Sequence, residues 1–288
     1  MTTASARTVG TLYIVATPIG NRQDIGLRAL STLQSVDKIL AEDTRHSGGL
    51  LKDLGIHKPL ISLHAHNEME KTKSILESLL MGTNFALISD AGTPLISDPG
   101  YPLVHQAREA NIPVTPIPGP CAIITALSAA GVPCDAFTFF GFLPAKKSAR
   151  QQKLAEIGAF NHTVVVYEST HRILACMNDI MTIFGEDYPM VLAKELTKTH
   201  EYFQSDTSIN INTWLTSNEK HCNGEFVLLL PPKVHIENTN EDAQTLKTLS
   251  LLLEELPMAK AVKLATKLTG IQKNRLYKLA LSINASES

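Results

Sequence analysis

From Leu12 onward the chain alternates short apolar runs with segments whose apolar positions recur every three or four residues. The runs at 12–16, 38–42, 85–89 and 114–117 read as strands, and the patterns at 68–81 and 102–110 as helices between them. Strands alternating with helices predict a mainly parallel sheet with helices on both faces. The pattern breaks near Gly131-Val132-Pro133. It resumes with strand-like runs at 137–140, 163–167, 190–193 and 226–230, separated by helical patterns at 146–157, 170–184 and 208–217. A second α/β domain is therefore expected, although the halves share no sequence repeat.

Pro231 and Pro232 end the last strand, and the polar, acidic stretch at 237–244 reads as a linker. Beyond it, Ala261, Leu264, Ala265 and Leu268 fall at helical spacing, Gly270 is placed to cap that helix, and Leu276, Leu279 and Ala280 form a second stripe. The expected organisation is a flexible tail over 1–10, an α/β domain over 11–122, a second over 123–232, a linker over 233–244 and a helical unit over 245–288.

Composition narrows the class. The 288 residues are 44% hydrophobic, enough for real cores, and no apolar run approaches the roughly 18 residues of a membrane span. Residues 1–10 hold one basic side chain, Arg7, and no apolar stretch of the signal-peptide kind, so a soluble cytoplasmic protein is expected. Cys121, Cys134, Cys176 and Cys222 are scattered, without the spacing of a metal site, and read as reduced thiols. His64 and His66 have no evident third ligand, so no metal is expected. A net charge of −2 announces no nucleic-acid partner. Between Met258 and Leu281, however, six cations (Lys260, Lys263, Lys267, Lys273, Arg275, Lys278) occur without one carboxylate, a pattern that suits phosphate as well as plain solvation.

The candidate chemistry starts at SDAGTPLISDPG, residues 89–100, directly after an apolar run. Gly92 and Gly100 permit close approach or positive φ, while Pro94 and Pro99 stiffen the loop, so a ligand can lie against main chain. Neither a G-x-G-x-x-G after the first strand nor a G-x-x-x-x-G-K-[ST] is present, which removes the usual signals of a dinucleotide or P-loop site. Alongside that loop stand ATPIGN (16–21), AEDTRHSGGLL (41–51), IPGPCAIITALSAAGVP (117–133), GFLPAKK (141–147), VVVYESTHR (164–172) and AKELTKTHE (193–201). In this order the set resembles the tetrapyrrole methylase superfamily, specifically its ribosomal RNA branch.

The resemblance implies two α/β domains with S-adenosylmethionine folded in the cleft between them, 2′-O-methylation of a cytidine in 16S rRNA, a helix-turn-helix-like tail and a homodimer. Carried over motif by motif, it places the cofactor at Pro18, Asp90, Gly92, Thr93, Ile96, Ala122, Ile123, Tyr167, Leu196, Gly224 and Glu225. A ribose hydroxyl needs a base or a stabilising charge as it attacks. Glu195 and then Glu168, each directly after a second-domain strand, are the first candidates, with Asp43 and Asp98 in first-domain loops behind them. Each is also explained by an ion pair, with Lys194 or Arg172 for example. Arg22, Arg45, His46, Lys146, Lys147, Arg150, His171 and Arg172 sit in loops or helix starts where they can meet phosphate and sugar. Two rivals remain open: methylation of a tetrapyrrole or of diphthamide on the same scaffold, and a non-catalytic RNA-binding or ribosome-assembly role.

Overall fold

The computed structural model describes residues 9–233, 239–271 and 273–286, with the side chains of 239–244, 274, 275, 278, 282 and 284–286 outside the description. Met1–Pro232 and Lys233–Ser288 form two compact units.

The first unit contains two five-stranded sheets. In the first, β1 (Leu12–Val15), β2 (Lys38–Ala41), β3 (Leu60–Ser62), β4 (Phe85–Leu87) and β5 (Val114–Ile117) run parallel in the order β3-β2-β4-β1-β5. Period-two alternation splits their side chains between two cores. Ile39, Ala41, Ala86 and Ile88 pack on one face against Ala29 and Leu33 of α1 (Leu27–Ser35) and Leu51 of α2 (Thr44–Asp53). Leu40, Phe85 and Leu87 pack on the other against Ile75 and Leu79 of α3 (Glu68–Leu80) and Leu103 and Ala107 of α4 (Tyr101–Glu109). Burial on both faces is what makes these strands read as continuous apolar runs.

The second sheet is mixed. Its order is β6-β7-β10-β8-β9, from β6 (Phe137–Phe142), β7 (Thr163–Ser169), β8 (Pro189–Lys194), β9 (Tyr202–Thr207) and β10 (Glu225–Leu230), with only the β6–β7 pair parallel. Val164, Val166, Leu192 and Leu228 face α6 (Lys147–Ile157), α7 (Ile173–Phe184) and α8 (Ser208–Ser217). Val165, Val191, Val227 and Leu229 face α5 (Ala122–Ala130), through Ile123, Ala126 and Leu127. Ile19, from the loop after β1, joins that same core, so the loops of the first sheet are seated against the second. Helix α5 thus belongs with the second sheet, ahead of the break expected at Gly131.

Several elements differ from the sequence reading. Strands β3 and β9 and helices α1 and α2 are additions. The tail expected over 1–10 falls outside the described residues for 1–8, whereas Gly10 is buried and donates its N–H to Leu79 O at 2.8 Å. Of the linker expected over 233–244, residues 234–238 lie outside the description and the rest is helical, because α9 (Thr239–Glu255) starts there.

In the second unit α9, α10 (Met258–Thr269) and α11 (Lys273–Ser286) enclose Leu249, Val262, Ala265, Leu276 and Ala280. The inward stripe of α10 is Ala261, Val262 and Ala265; Leu264 and Leu268, expected inside, are 40% and 64% exposed. The stripe is rotated by one position, which sets the two leucines beside the exposed Lys260, Lys263 and Lys267.

Candidate functional site

The loops that follow β1, β4 and β5 are laced together at the carboxyl ends of adjacent parallel strands, where open α/β sheets bind ligands. Thr17 and Gly92 form an isolated antiparallel bridge, with N–H to O distances of 2.9 and 3.1 Å. Thr17 Oγ1 donates to Ser89 O at 3.1 Å, Ser89 Oγ to Gly92 O at 3.0 Å, and Thr93 Oγ1 to Pro120 O at 3.0 Å. Gly92 takes φ +83°, and a Cβ there would lie 3.1 Å from Ile19 Cγ2.

Two further stretches hold backbone that non-glycine residues rarely adopt. Leu95 and Ser97 (φ 72° and 70°) flank Ile96, and Glu195 and Thr197 (φ 51° and 64°) flank Leu196. Each such residue costs roughly 1–3 kcal/mol, so the packing around both loops must over-determine them. The result is that Ile96, from a loop of the first sheet, and Leu196, from a loop of the second, are delivered into a common cavity.

That cavity has a volume of about 340 Å³, the scale of a small-molecule site. Of the expected cofactor residues, Asp90, Gly92, Thr93, Ile96, Ala122, Tyr167, Leu196 and Glu225 line it. Pro18, Ile123 and Gly224 do not: Ile123 packs in the α5 core, and Gly224 N donates instead to Thr170 Oγ1 at 2.7 Å. Cys121, Ser97, Asp98 and Phe142 are among the other residues of the wall. Burial of Tyr167 raises its phenol pKa, the largest cause, so it stays neutral and serves as wall rather than base.

The carboxylates separate by environment. Glu195, the first candidate base, does not line the cavity. Its side chain pairs with Lys198 Nζ at 2.8 Å and accepts the Glu225 N–H at 2.9 Å; although burial pushes the other way, these partners hold its pKa below the ordinary value. The ion pair is thus with Lys198 rather than Lys194. Glu168 does line the cavity, but it is 2% exposed, accepts the Ser169 N–H at 2.8 Å and pairs with Arg172 Nε at 3.2 Å. Asp43 caps α2 by accepting from the N–H groups of Arg45 and His46 at 2.8 and 3.4 Å, which lowers its pKa.

Asp98 is different. It lines the cavity, and its pKa is pushed up to about 6, first by burial and then by the nearby charge of Glu42, with Asp90 adding to the shift and a hydrogen bond with Ser89 opposing it. Glu42 is raised too, by burial and then by Asp90, against the influence of His64. Asp90 and Asp98, from the loop after β4, therefore line the cavity with the charge of Glu42, from the loop after β2, close behind them, and the cluster favours a cationic ligand.

The expected RNA contacts divide in the same way. Arg45 is 92% exposed beside Asp43, Arg22 is 65% exposed beside Asp53, and His46, Lys146, Lys147 and His171 face solvent. Arg172 is tied to Glu168 and donates to Leu143 O. Arg150 corrects the sequence reading: it is 4% exposed, with Nε and a terminal amino group 2.7 and 2.6 Å from Asp179 Oδ2. It ties α6 to α7 and faces no RNA. Arg150→Ala leaves Asp179 buried without its cationic partner, with only the Gln151 amide still donating to it at 2.8 Å, so thermal unfolding should show a destabilisation of about 3–5 kcal/mol, with RNA affinity of the folded fraction unchanged.

His64 lies edge-on to His66 at 5.9 Å and Nε2 is 3.0 Å from Asn67 Nδ2. Among the described residues no group of three or more His, Cys, Asp or Glu side chains is arranged to hold a metal.

Two five-stranded sheets with a carboxylate-lined cleft at their strand ends define a bilobed α/β class. Residues 11–208 match the family model described as Tetrapyrrole (Corrin/Porphyrin) Methylases, and residues 239–284 the one described as RsmI C-terminal HTH domain. The chain is 52% identical over 274 residues to the ribosomal RNA small subunit methyltransferase I of Haemophilus influenzae, covering 95% of this chain and 97% of that protein. It is 52% identical over 273 residues to the protein of that name in Escherichia coli O157:H7, covering 94% and 95%. Among solved structures, uroporphyrin-III-C-methyltransferase from Thermus thermophilus shares the fold, with a TM-score of 0.54 at 19% identity over 77% of this chain and 94% of that one. The chain belongs to the tetrapyrrole methylase family, in the group of ribosomal RNA small subunit methyltransferase I proteins.

Proposed function

We propose that this protein is an S-adenosylmethionine-dependent methyltransferase that 2′-O-methylates the ribose of a cytidine in 16S rRNA of the small ribosomal subunit. The observation that carries the reading is the wall of the cavity: main chain at Gly92, left-handed loops around Ile96 and Leu196, and the Asp90 and Asp98 carboxylates, with Glu42 acting on Asp98 from outside the wall. Full-length relatives at 52% identity support RNA over a tetrapyrrole as the acceptor.

These residues suit the cofactor. Bound there, S-adenosylmethionine would supply an electrophilic methyl carbon on a positively charged sulfur, a charge complementary to the Asp90 and Asp98 carboxylates that line the cavity. Gly92 leaves room for it to lie on main chain, and Ile96, Leu196 and Tyr167 exclude water. Asp98 is placed to accept the proton of the ribose 2′-hydroxyl, whose oxygen would take the methyl group of the bound cofactor, the cofactor leaving as its neutral thioether. Burial, and then the charges of Glu42 and Asp90, keep Asp98 basic enough for this. Glu168 and Glu195 position Arg172 and Lys198 in this reading and transfer no proton. The chemistry needs no metal.

The helical unit contributes affinity for RNA. Lys260, Lys263 and Lys267 are exposed along α10, and each lost phosphate contact lowers the salt slope of binding by about 0.7–0.9. Replacing all three by Ala should therefore flatten the slope by about two to three units, leaving S-adenosylmethionine affinity intact; filter binding over a salt series measures it. A homodimer and a cytoplasmic site of action complete the proposal; among the described residues no helix is long and apolar enough to cross a membrane.

The reading is tested by incubating the purified protein with methyl-labelled S-adenosylmethionine and small ribosomal subunits from cells that lack it, then digesting the rRNA to nucleosides. Label in 2′-O-methylcytidine is expected. Label in a base-methylated nucleoside, or none in rRNA, contradicts it.

A further inference from the structure

Strand β6 does not keep its alternation to the end. Phe139 pairs with Val165 and Phe142 with Tyr167, so three residue steps on β6 match two on β7, and the register shifts between them. Gly141 sits in this bulge at φ +63°, where a β-carbon would lie 3.1 Å from Ser97 Oγ. A regular strand would alternate Phe139 toward the α5 face, Phe140 toward the α6–α7 face and Phe142 toward the latter again. The bulge reverses the last step. Phe140 packs with the α6–α7 core and Phe139 with the α5 core, whereas Phe142 turns to the cavity and meets Tyr167 edge-to-face, ring centroids 5.6 Å apart.

The residue so re-aimed is exposed. Phe142 lines the cavity yet keeps 54% of its surface in solvent, and Ile96, one residue from the Ser97 contact, lines the same cavity at 41% exposure. Two uncovered apolar side chains at the junction of the two sheets, on either side of the Gly141–Ser97 approach, make a rim suited to a flat apolar ring. Asp98 follows two residues after Ile96.

We infer that Phe142 is the platform on which the target nucleotide's pyrimidine ring stacks once it leaves the rRNA helix, with Ile96 beside it, so that the ribose 2′-hydroxyl is carried to Asp98. The inference rests on the rRNA methylation proposed above. The reacting atom lies on the sugar, so the base must be held by something that does no chemistry, and RNA-binding proteins hold splayed bases on aromatic faces. Tyr167 braces the Phe142 ring from behind, leaving its solvent side open.

The test compares Phe142→Ala, Phe142→Leu and Phe142→Trp, using small ribosomal subunits from cells lacking the protein as acceptor. Loss of a stacking face should lower kcat/KM for the subunits by roughly 10- to 100-fold in the Ala and Leu variants, while Trp stays near wild type. Calorimetric S-adenosylmethionine affinity and the melting temperature should be unchanged in all three. Leu separates stacking from mere bulk. Wild-type activity in the Ala variant overturns the inference, as does a loss in the Trp variant equal to that of Ala. A fall in S-adenosylmethionine affinity matching the fall in transfer overturns it too, because the ring would then serve the cofactor. If the wild-type protein labels no rRNA, the functional proposal fails and this inference with it; if only the Phe142 variants behave otherwise than expected, the functional proposal stands.

Discussion

Asp98→Asn should lower the single-turnover rate of methyl transfer by roughly 100- to 10,000-fold, the range for loss of a positioned general base. The amide keeps the shape of the carboxyl and removes its ability to take a proton. It also removes one of three crowded negative charges, so the fold should gain slightly or stay level, and cofactor binding should persist. The pH profile supplies an independent signature. Asp98 must be ionised to act, and its pKa is raised to about 6, so activity rises with pH through that value and then levels. Measured as kcat/KM for S-adenosylmethionine, the profile reports the group in the cofactor-free protein. Glu42→Gln removes the largest charge acting on Asp98 and should move the inflection to lower pH; an unmoved inflection assigns it to another group. Glu195→Gln, by contrast, should leave the rate of the chemical step near that of the wild type, since its partners are Lys198 and the Glu225 N–H.

Gly92→Val should abolish measurable S-adenosylmethionine binding while the protein remains folded. The residue is left-handed, at φ +83°, and a β-carbon there would press on Ile19 at 3.1 Å and approach Pro120 O at 3.7 Å. A branched side chain cannot adopt that conformation without strain and would project into the space the ligand needs. The bridge between Thr17 and Gly92 ties the first and fourth strand ends together, so some loss of stability accompanies the loss of binding. Calorimetry and a thermal melt on the same sample separate the two. Unaltered affinity in a folded variant would remove the loop from the cofactor site.

What could be read from the sequence followed burial. Strands β4 and β10 are buried over almost their whole length and stood out as apolar runs. Strands β3 and β9 lie at sheet edges, half-exposed, and β9 carries Gln204, Ser205 and Asp206, so no apolar pattern marks it. Helix α2 begins inside a motif containing Gly48 and Gly49, which weaken its helical signal; the Asp43 cap secures its start. The cofactor loop was legible because its glycines and prolines restrict the backbone locally. The ranking of the carboxylates was not, because the shift on Asp98 arises first from burial in the folded cleft and then from Glu42, on the loop after β2, which strand order alone brings beside the loop after β4. Arg150 looked like any cation at a helix start until Asp179, on the next helix, met it. Phe142 would have needed the bulge to be foreseen, for which the Gly141 within an aromatic run was the single signal.

The most direct measurement is a map of ribose methylation on 16S rRNA from cells with this protein, without it, and with only the Asp98→Asn form. The account predicts one cytidine that resists alkaline cleavage in the first case and is cleaved in the other two. An identical 2′-O-methylation map in all three would contradict it.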